Sequence, residues 1–215
     1  MMYSKPMQML VDDHTVILSV LDAVDAAAGQ GAVEFPAEFY AKAFDFFAVF
    51  ADRCHHAKEE DHLFPLLAQR GIPQGNGPLG FMLREHEIGR QHVAAVREAL
   101  PRAAQGDSAA RQAVRSEALA YVELLRQHIM KENQVLFMLA EHTLTSHDKE
   151  ELYKRFQCAE HAGGDDSHQE PAEEVAPRHA VKMAGLQPMP VASPDLQRIH
   201  NEVDNHHRQA IETHR

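Results

Sequence analysis

A ten-residue pattern occurs twice in this chain, as HHAKEEDHLF at residues 55–64 and as HIMKENQVLF at residues 128–137. Aligned without a gap, His55 meets His128, Lys58 meets Lys131, Glu59 meets Glu132, and Leu63-Phe64 meets Leu136-Phe137. Each copy sets a His and a Glu four residues apart. On a helix that is one turn, about 6 Å of rise, with both side chains on one face. Two such helices facing each other bring two imidazoles and two carboxylates into one core, most of a dinuclear metal site.

The surrounding sequence supplies the helices. Residues 7–28 carry a stripe of Leu10, His14, Ile17, Leu21 and Val24, closed by Gly29 and Gly31. A second helix starts after Pro36 and runs to about Gln69. It is followed by a loop containing Gly71, Pro73, Gly75, Gly77 and Pro78. A third, from about Pro78 to Ala104, has Leu79, Met82, His86, Gly89, Val93, Val96 and Leu100 on one stripe. Asp107 or Ser108 caps a fourth over about 109–142, and Thr145 with Asp148 caps a fifth over 146–161. Nothing in residues 1–161 reads as strand. Four long amphipathic helices with short connections predict an all-α, up-down-up-down four-helix bundle, with a fifth short helix.

After Gly163-Gly164 the composition turns to Gly, Pro, Asp, Glu and Ala, which reads as a linker over 163–195. A short helix is expected over 195–212. The chain therefore divides into a bundle at 1–161 and an irregular tail at 162–215. Of 16 His, seven fall after residue 157 (His161, His168, His179, His200, His206, His207 and His214), without a single ligand spacing.

Composition narrows the function. A net charge of −11 disfavours a nucleic-acid or anionic-membrane partner. There is no apolar run long enough for a membrane span and no signal-peptide pattern at the N-terminus, so a cytoplasmic location is expected. Cys54 and Cys158 are too few for a disulfide scaffold. Whether the chain pairs with itself or with another protein is left open.

Each of the four stripes carries a His (His14, His55, His86 and His128), and two add Glu59 and Glu132. A lone His on such a stripe is usually a satisfied core residue. Six such groups in one small core make sense when a cation compensates them, because buried charge is costly. Nitrogen and carboxylate donors without thiolate suit iron, manganese or zinc.

These elements together resemble the hemerythrin-like, or HHE cation-binding, family. The matching elements are Asp12-Asp13-His14, His55 through Pro65, Arg84-Glu85-His86 through Arg90, and His128 through Phe137, within residues 7–161. The resemblance implies a four-helix bundle holding two non-haem iron ions bridged by oxo and carboxylate groups. It assigns His14 and His55 to one iron, His86 and His128 to the other, with Glu59 and Glu132 bridging. Oxygen-carrying members have a second His one turn after the ligand of the third helix, where this chain has Arg90. With Gly89 beside it, that departure implies room for a ligand at the second iron. It favours binding of, or reaction with, O2, peroxide or NO, in sensing or in oxidative or nitrosative stress, over simple oxygen carriage. Repair of iron centres, NO reduction, and an iron-storage or regulatory module are the alternatives, and turnover is left open.

Around the ligands, His62, Arg90 and Tyr121 are candidates for outer contacts. His56 and Glu60 share the i, i+4 spacing of His55 and Glu59, but the repeat favours the earlier register. That register sets His56 100° around the helix. Glu85 and Glu87 read as solvated faces. The Glu59-x-x-His62 element of ferritin-like proteins has no second copy, since Val135 stands in the matching place.

Overall fold

In the computed structural model, which describes residues 3–29 and 35–162, every regular element is helical. Helix α1 is Lys5–Gly29. Helix α2 is continuous from Ala37–Phe46 through Phe47–His56 and Glu59–Leu63 to Phe64–Gln69. Helix α3 is Pro78–Ala104, and α4 runs from Ser108–Lys131 through Glu132–Leu136 to Phe137–Thr143. Helix α5 is Ser146–Ala162. The first four form the bundle, with α3 on α4 and α1 on α4 as its most extensive seams, and α5 packs on α1. The expected tail helix and the tail histidines beyond residue 162 lie outside the described residues.

The ends follow from local chemistry. At the end of α2 the Gly71 N–H donates to the Ala68 carbonyl and the Ile72 N–H to the Leu67 carbonyl, with Gly71 at φ 94°. That paired closure needs a left-handed residue, which glycine adopts without steric cost. Gly106, at φ 96°, closes α3 in the same way. Asp107 caps α4, its carboxylate accepting from the Ala109 and Ala110 N–H groups. Thr145 and Asp148 bond reciprocally at the start of α5, and Arg70 grips Asp148 at 2.6 Å from Nη2. That ion pair ties the end of α2 to α5.

Three stretches are wound as π-helix: Phe47–His56 and Glu59–Leu63 in α2, and Glu132–Leu136 in α4. In both copies of the repeat a π-turn opens at the Glu and closes at the Leu before Phe64 or Phe137. Such turns carry an extra residue and are rare outside functional sites. The apolar core forms two clusters, one around Ile17, Phe44, Phe47, Val96 and Leu125, the other around Leu10, Leu63, Phe64, Leu79 and Phe137. The polar layer of the site falls between them along the helices. Among the described residues, no helix is long and apolar enough to cross a membrane.

Candidate metal centre

Two groups of buried side chains share this layer: His14, His55, Glu59 and Glu132, and His56, Glu59, His86 and His128. Both glutamates are fully buried and each imidazole is no more than 4% exposed. The six residues singled out from the repeat and the stripes are thus brought together, and His56 joins them.

The imidazoles meet in pairs. Nε2 of His14 lies 2.9 Å from Nε2 of His55, and Nε2 of His86 lies 3.0 Å from Nε2 of His128. The glutamates lie across the pairs. Glu132 sets Oε2 at 3.2 Å from His14 Nε2 and Oε1 at 3.1 Å from His128 Nε2. Glu59 Oε2 is 3.8 Å from His55 Nε2 and 3.5 Å from His86 Nε2.

The far nitrogen of each ring is held by an oxygen. His55 Nδ1 donates to Asp13 Oδ2 at 3.2 Å, His86 Nδ1 to Glu60 Oε1 at 2.6 Å, and His128 Nδ1 to Glu85 Oε2 at 2.9 Å. His14 Nδ1 faces Asn133 Oδ1 at 2.9 Å. A carboxylate only accepts, so the proton of His55, His86 and His128 resides on Nδ1 and the Nε2 lone pair faces inward. Two lone pairs 3.0 Å apart, as on His86 and His128, need a positive charge between them.

The contacts explain the repeat. Lys58, three residues after His55, reaches Asp13 Oδ2 at 2.9 Å, so it fixes the acid that orients its own His. Lys131, three residues after His128, does the same to Glu85. The residue after each glutamate, Glu60 or Asn133, holds the His of the other helix pair, His86 or His14. Phe137 stacks on His14 at 5.4 Å and Phe64 lies over His86 at 5.9 Å. The site therefore has approximate two-fold symmetry, with α1 and α2 as one half and α3 and α4 as the other.

Electrostatics follow burial. Desolvation, with the imidazole of His14 beside it, brings His55 down to about 4, and His56 is driven well below its ordinary value by desolvation and the imidazoles around it. Desolvation opposes charge on His128 too, but Glu132 and Glu85 outweigh it and raise this group to about 9. Glu59 is pushed well above the usual carboxylate range by burial and by Glu132 beside it. Glu132, equally buried, is held well below that range because His128 and His14 outweigh the burial. In the metal-free fold a proton on His128 thus supplies the positive charge that the converging lone pairs require. None of the four oxygens of Glu59 and Glu132 has a hydrogen-bond donor aligned on it, nor has either ring nitrogen of His56 a partner. Buried polar atoms without partners are rare and costly.

Several sequence expectations are corrected. Glu85 is not on a solvated face: it holds His128, and Glu60 holds His86. His56 is not turned away, but stacks on His86 with ring centroids 3.8 Å apart and planes 15° apart. His62 is not beside the ligands; its ring lies 6.2 Å from Phe156 on α5. The π-turn at Glu59–Leu63 takes His62 out of the register of two α-turns from His55. Tyr121 is buried against Phe44 and Phe47 rather than set among the imidazoles. A Cβ on Gly89 would meet Tyr121 at 3.5 Å and no group of the site, so Gly89 does not open space beside His86. Arg90 is an outer contact: it donates to Glu60 Oε1 at 2.6 Å and to Asp52 Oδ1 at 2.9 Å.

A helical bundle whose centre is a layer of facing imidazole pairs spanned by carboxylates defines a cation-binding bundle. Residues 5–140 match the family model of the hemerythrin HHE cation binding domain, and the chain belongs to that family. Comparisons with curated proteins and with solved structures gave no match.

The residues fit a metal. Two nitrogens bound to one ion at about 2.1 Å and at a right angle stand about 3 Å apart, the spacing of both pairs. The orphaned glutamate oxygens supply the remaining donors, and the set of imidazole and carboxylate suits iron, manganese or zinc.

Proposed function

We propose that this chain is a non-haem di-iron protein that binds or reacts with a small oxidant, O2, peroxide or NO, in sensing or in the response to oxidative or nitrosative stress. The observation that carries the reading is the pairing of inward Nε2 atoms at 2.9 and 3.0 Å, with Glu59 and Glu132 lying across both pairs. His14 and His55 would hold one iron, His86 and His128 the other, and the two glutamates would bridge them. Two pairs rather than one tetrahedral group argue for two ions, and the absence of thiolate argues against a closed structural zinc site.

An iron pair supplies reversible electron transfer and a coordination position that a small molecule can occupy. The protein contributes the rest. Asp13, Glu60 and Glu85 keep each proton on Nδ1 and raise the basicity of Nε2. The two apolar clusters on either side shield the layer from bulk water.

The test is metal content per chain by elemental analysis on protein produced with ample iron, with the absorption spectrum recorded before and after azide. Two irons per chain and azide-dependent charge-transfer bands are expected. One zinc per chain without visible bands would sink the reading and leave a structural metal bundle.

A further inference from the structure

The π-turn of α4 opens a backbone acceptor beside the site, and a residue from ahead of α1 fills it. The Phe137 N–H donates to the Glu132 carbonyl, five residues back. In an α-turn the same N–H would go to Asn133, four residues back. The Asn133 carbonyl instead accepts from the Tyr3 hydroxyl at 2.7 Å. The side-chain amide of the same Asn133 sets Oδ1 2.9 Å from His14 Nδ1. Tyr3 therefore grips the residue that holds one imidazole of the layer.

Tyr3 reaches Asn133 by lying along the groove between α1 and α4. Its neighbour Ser4 is fastened further along α4, where Glu141 Oε1 accepts from the Ser4 N–H at 2.7 Å and from the Ser4 hydroxyl at 2.5 Å. Glu141 stands eight residues beyond Asn133, about 12 Å along the helix at 1.5 Å per residue. The Tyr3 side chain runs back over part of that distance, half-buried on the apolar cluster of Leu10 and Phe137. The other copy of the repeat is served differently. Glu60, in the place of Asn133, accepts from Arg90, which stands one turn after the His86 that Glu60 holds. One turn after His14 stands Leu18, whose side chain has no donor. Tyr3 supplies the donor for this half.

We propose, on the di-iron reading above, that Tyr3 is a positioning residue for the metal held by His14. By occupying the Asn133 carbonyl it fixes the π-turn in the register that sets the amide on His14 Nδ1. With a metal on Nε2 the proton of His14 resides on Nδ1, and the amide oxygen accepts it. That contact orients the ring and raises the donor strength of Nε2. Ser4 has no such part. It bonds Glu141, two turns away, and through Glu141 and Lys149 it ties α1 and α4 to α5.

The test uses the full chain loaded with ferrous iron under anaerobic conditions. Iron loss to a chelator is followed in time, and the exchangeable Nδ1–H signals are followed by proton NMR. The phase that Asn133→Ala accelerates belongs to the His14 metal. Tyr3→Phe keeps the ring and deletes the hydroxyl. It is expected to speed that phase by about 2–10-fold, the worth of one neutral hydrogen bond, and to leave the other phase unchanged. One Nδ1–H signal, the one that Asn133→Ala also moves, is expected to exchange faster with water. In the Asn133→Ala background Tyr3→Phe is expected to add nothing, because the two residues act in one chain of contacts. Ser4→Ala, which loses a hydrogen bond from the neighbouring residue, is expected to leave both phases as in wild type. The role of Tyr3 is overturned, with the di-iron reading intact, if Asn133→Ala accelerates neither phase. It is equally overturned if Tyr3→Phe changes neither phase, speeds both alike, or keeps its full effect beside Asn133→Ala. Wild type that does not take up two irons overturns both.

Discussion

The metal-free bundle is expected to be far less stable than the loaded one, and the margin follows from the buried atoms. Glu59, Glu132 and His56 each bury polar atoms without a hydrogen-bond partner. Leaving one buried polar group unsatisfied costs about 1–3 kcal/mol; with Glu132 offset by His128 and His14, Glu59 and His56 together cost about 2–6 kcal/mol. Whole domains are stable by about 5–15 kcal/mol, so this is a large part of the total. Glu59 relieves some of the cost because burial and Glu132 shift its carboxyl toward the neutral form. The lower end is therefore the working figure. For a chain of this size 1 kcal/mol moves the Tm by about 2–4 °C, so metal is expected to raise it by at least about 4 °C. The relief is part of the binding free energy, not an addition to it.

The assay is calorimetric unfolding of chelator-stripped protein with and without ferrous iron under anaerobic conditions. Glu59→Met supplies the control. Removing a buried carboxyl and filling its volume is expected to raise the Tm of the stripped protein while shrinking the gain from iron, because a bridging oxygen is lost. Loaded and stripped wild type melting within about 2 °C of each other would refute the reasoning. So would Glu59→Met that lowers the stripped Tm, since the carboxyl would then have satisfied partners.

Protons and metal compete for the same lone pairs. His128 is raised to about 9, so in the metal-free protein its contribution to stability is complete below its unfolded value near 6.5 and is lost as pH rises through about 9. Metal affinity runs the other way, and the gap in Tm between loaded and stripped protein is expected to widen from pH 6.5 to pH 9; a constant gap would count against the assignment. Calorimetric titration in buffers of different ionisation enthalpy at pH 7 is expected to show proton release on loading, with His128, raised to about 9, as one source. Lys131→Met and Glu85→Gln are expected to weaken metal binding by about 10–100-fold in a chelator competition without altering the stoichiometry at saturation. Truncation after Ala162 is expected to keep the metal content and spectrum of the full chain, because the groups of the site found among the described residues all lie before it; loss of metal would give residues 163–215 a part in the site.

Much of this was legible in the sequence because it rests on α-helical periodicity and local capping. The stripes located all five helices to within a few residues, and Asp107 and the Thr145–Asp148 pair marked two helix starts. The repeat picked out His55, Glu59, His128 and Glu132, and the stripes added His14 and His86. What was missed comes from two causes. Counting 100° per residue fails where π-turns intervene, and the residues that open those turns carry no local signature that separates them from an α-turn. That error put His62 into the layer. The orienting acids were missed because Glu85 and Glu60, judged one helix at a time, look like solvent-facing charges. Their signal lay in the pairing of elements: an acid immediately precedes both His14 and His86, and each such acid serves the His of the partner helix.

The same oxygens make the two halves unequal in a way that can be measured. His86 and His128 each rest on a carboxylate, Glu60 and Glu85, whereas in the other pair only His55 does, on Asp13. His14 rests on the amide of Asn133 at 2.9 Å. A carboxylate behind an imidazole raises its basicity as a ligand, and losing one such contact typically costs 10–100-fold in affinity. The His86–His128 position is therefore expected to fill first and release last, with chelator stripping the protein in two phases separated by about that factor. Asn133→Asp puts a charge where the amide stands and is expected to slow the fast phase toward the slow one while leaving the slow phase unchanged. A single stripping phase in wild type, or an Asn133→Asp variant whose fast phase does not move, would show that the outer oxygens do not set the order of the two positions.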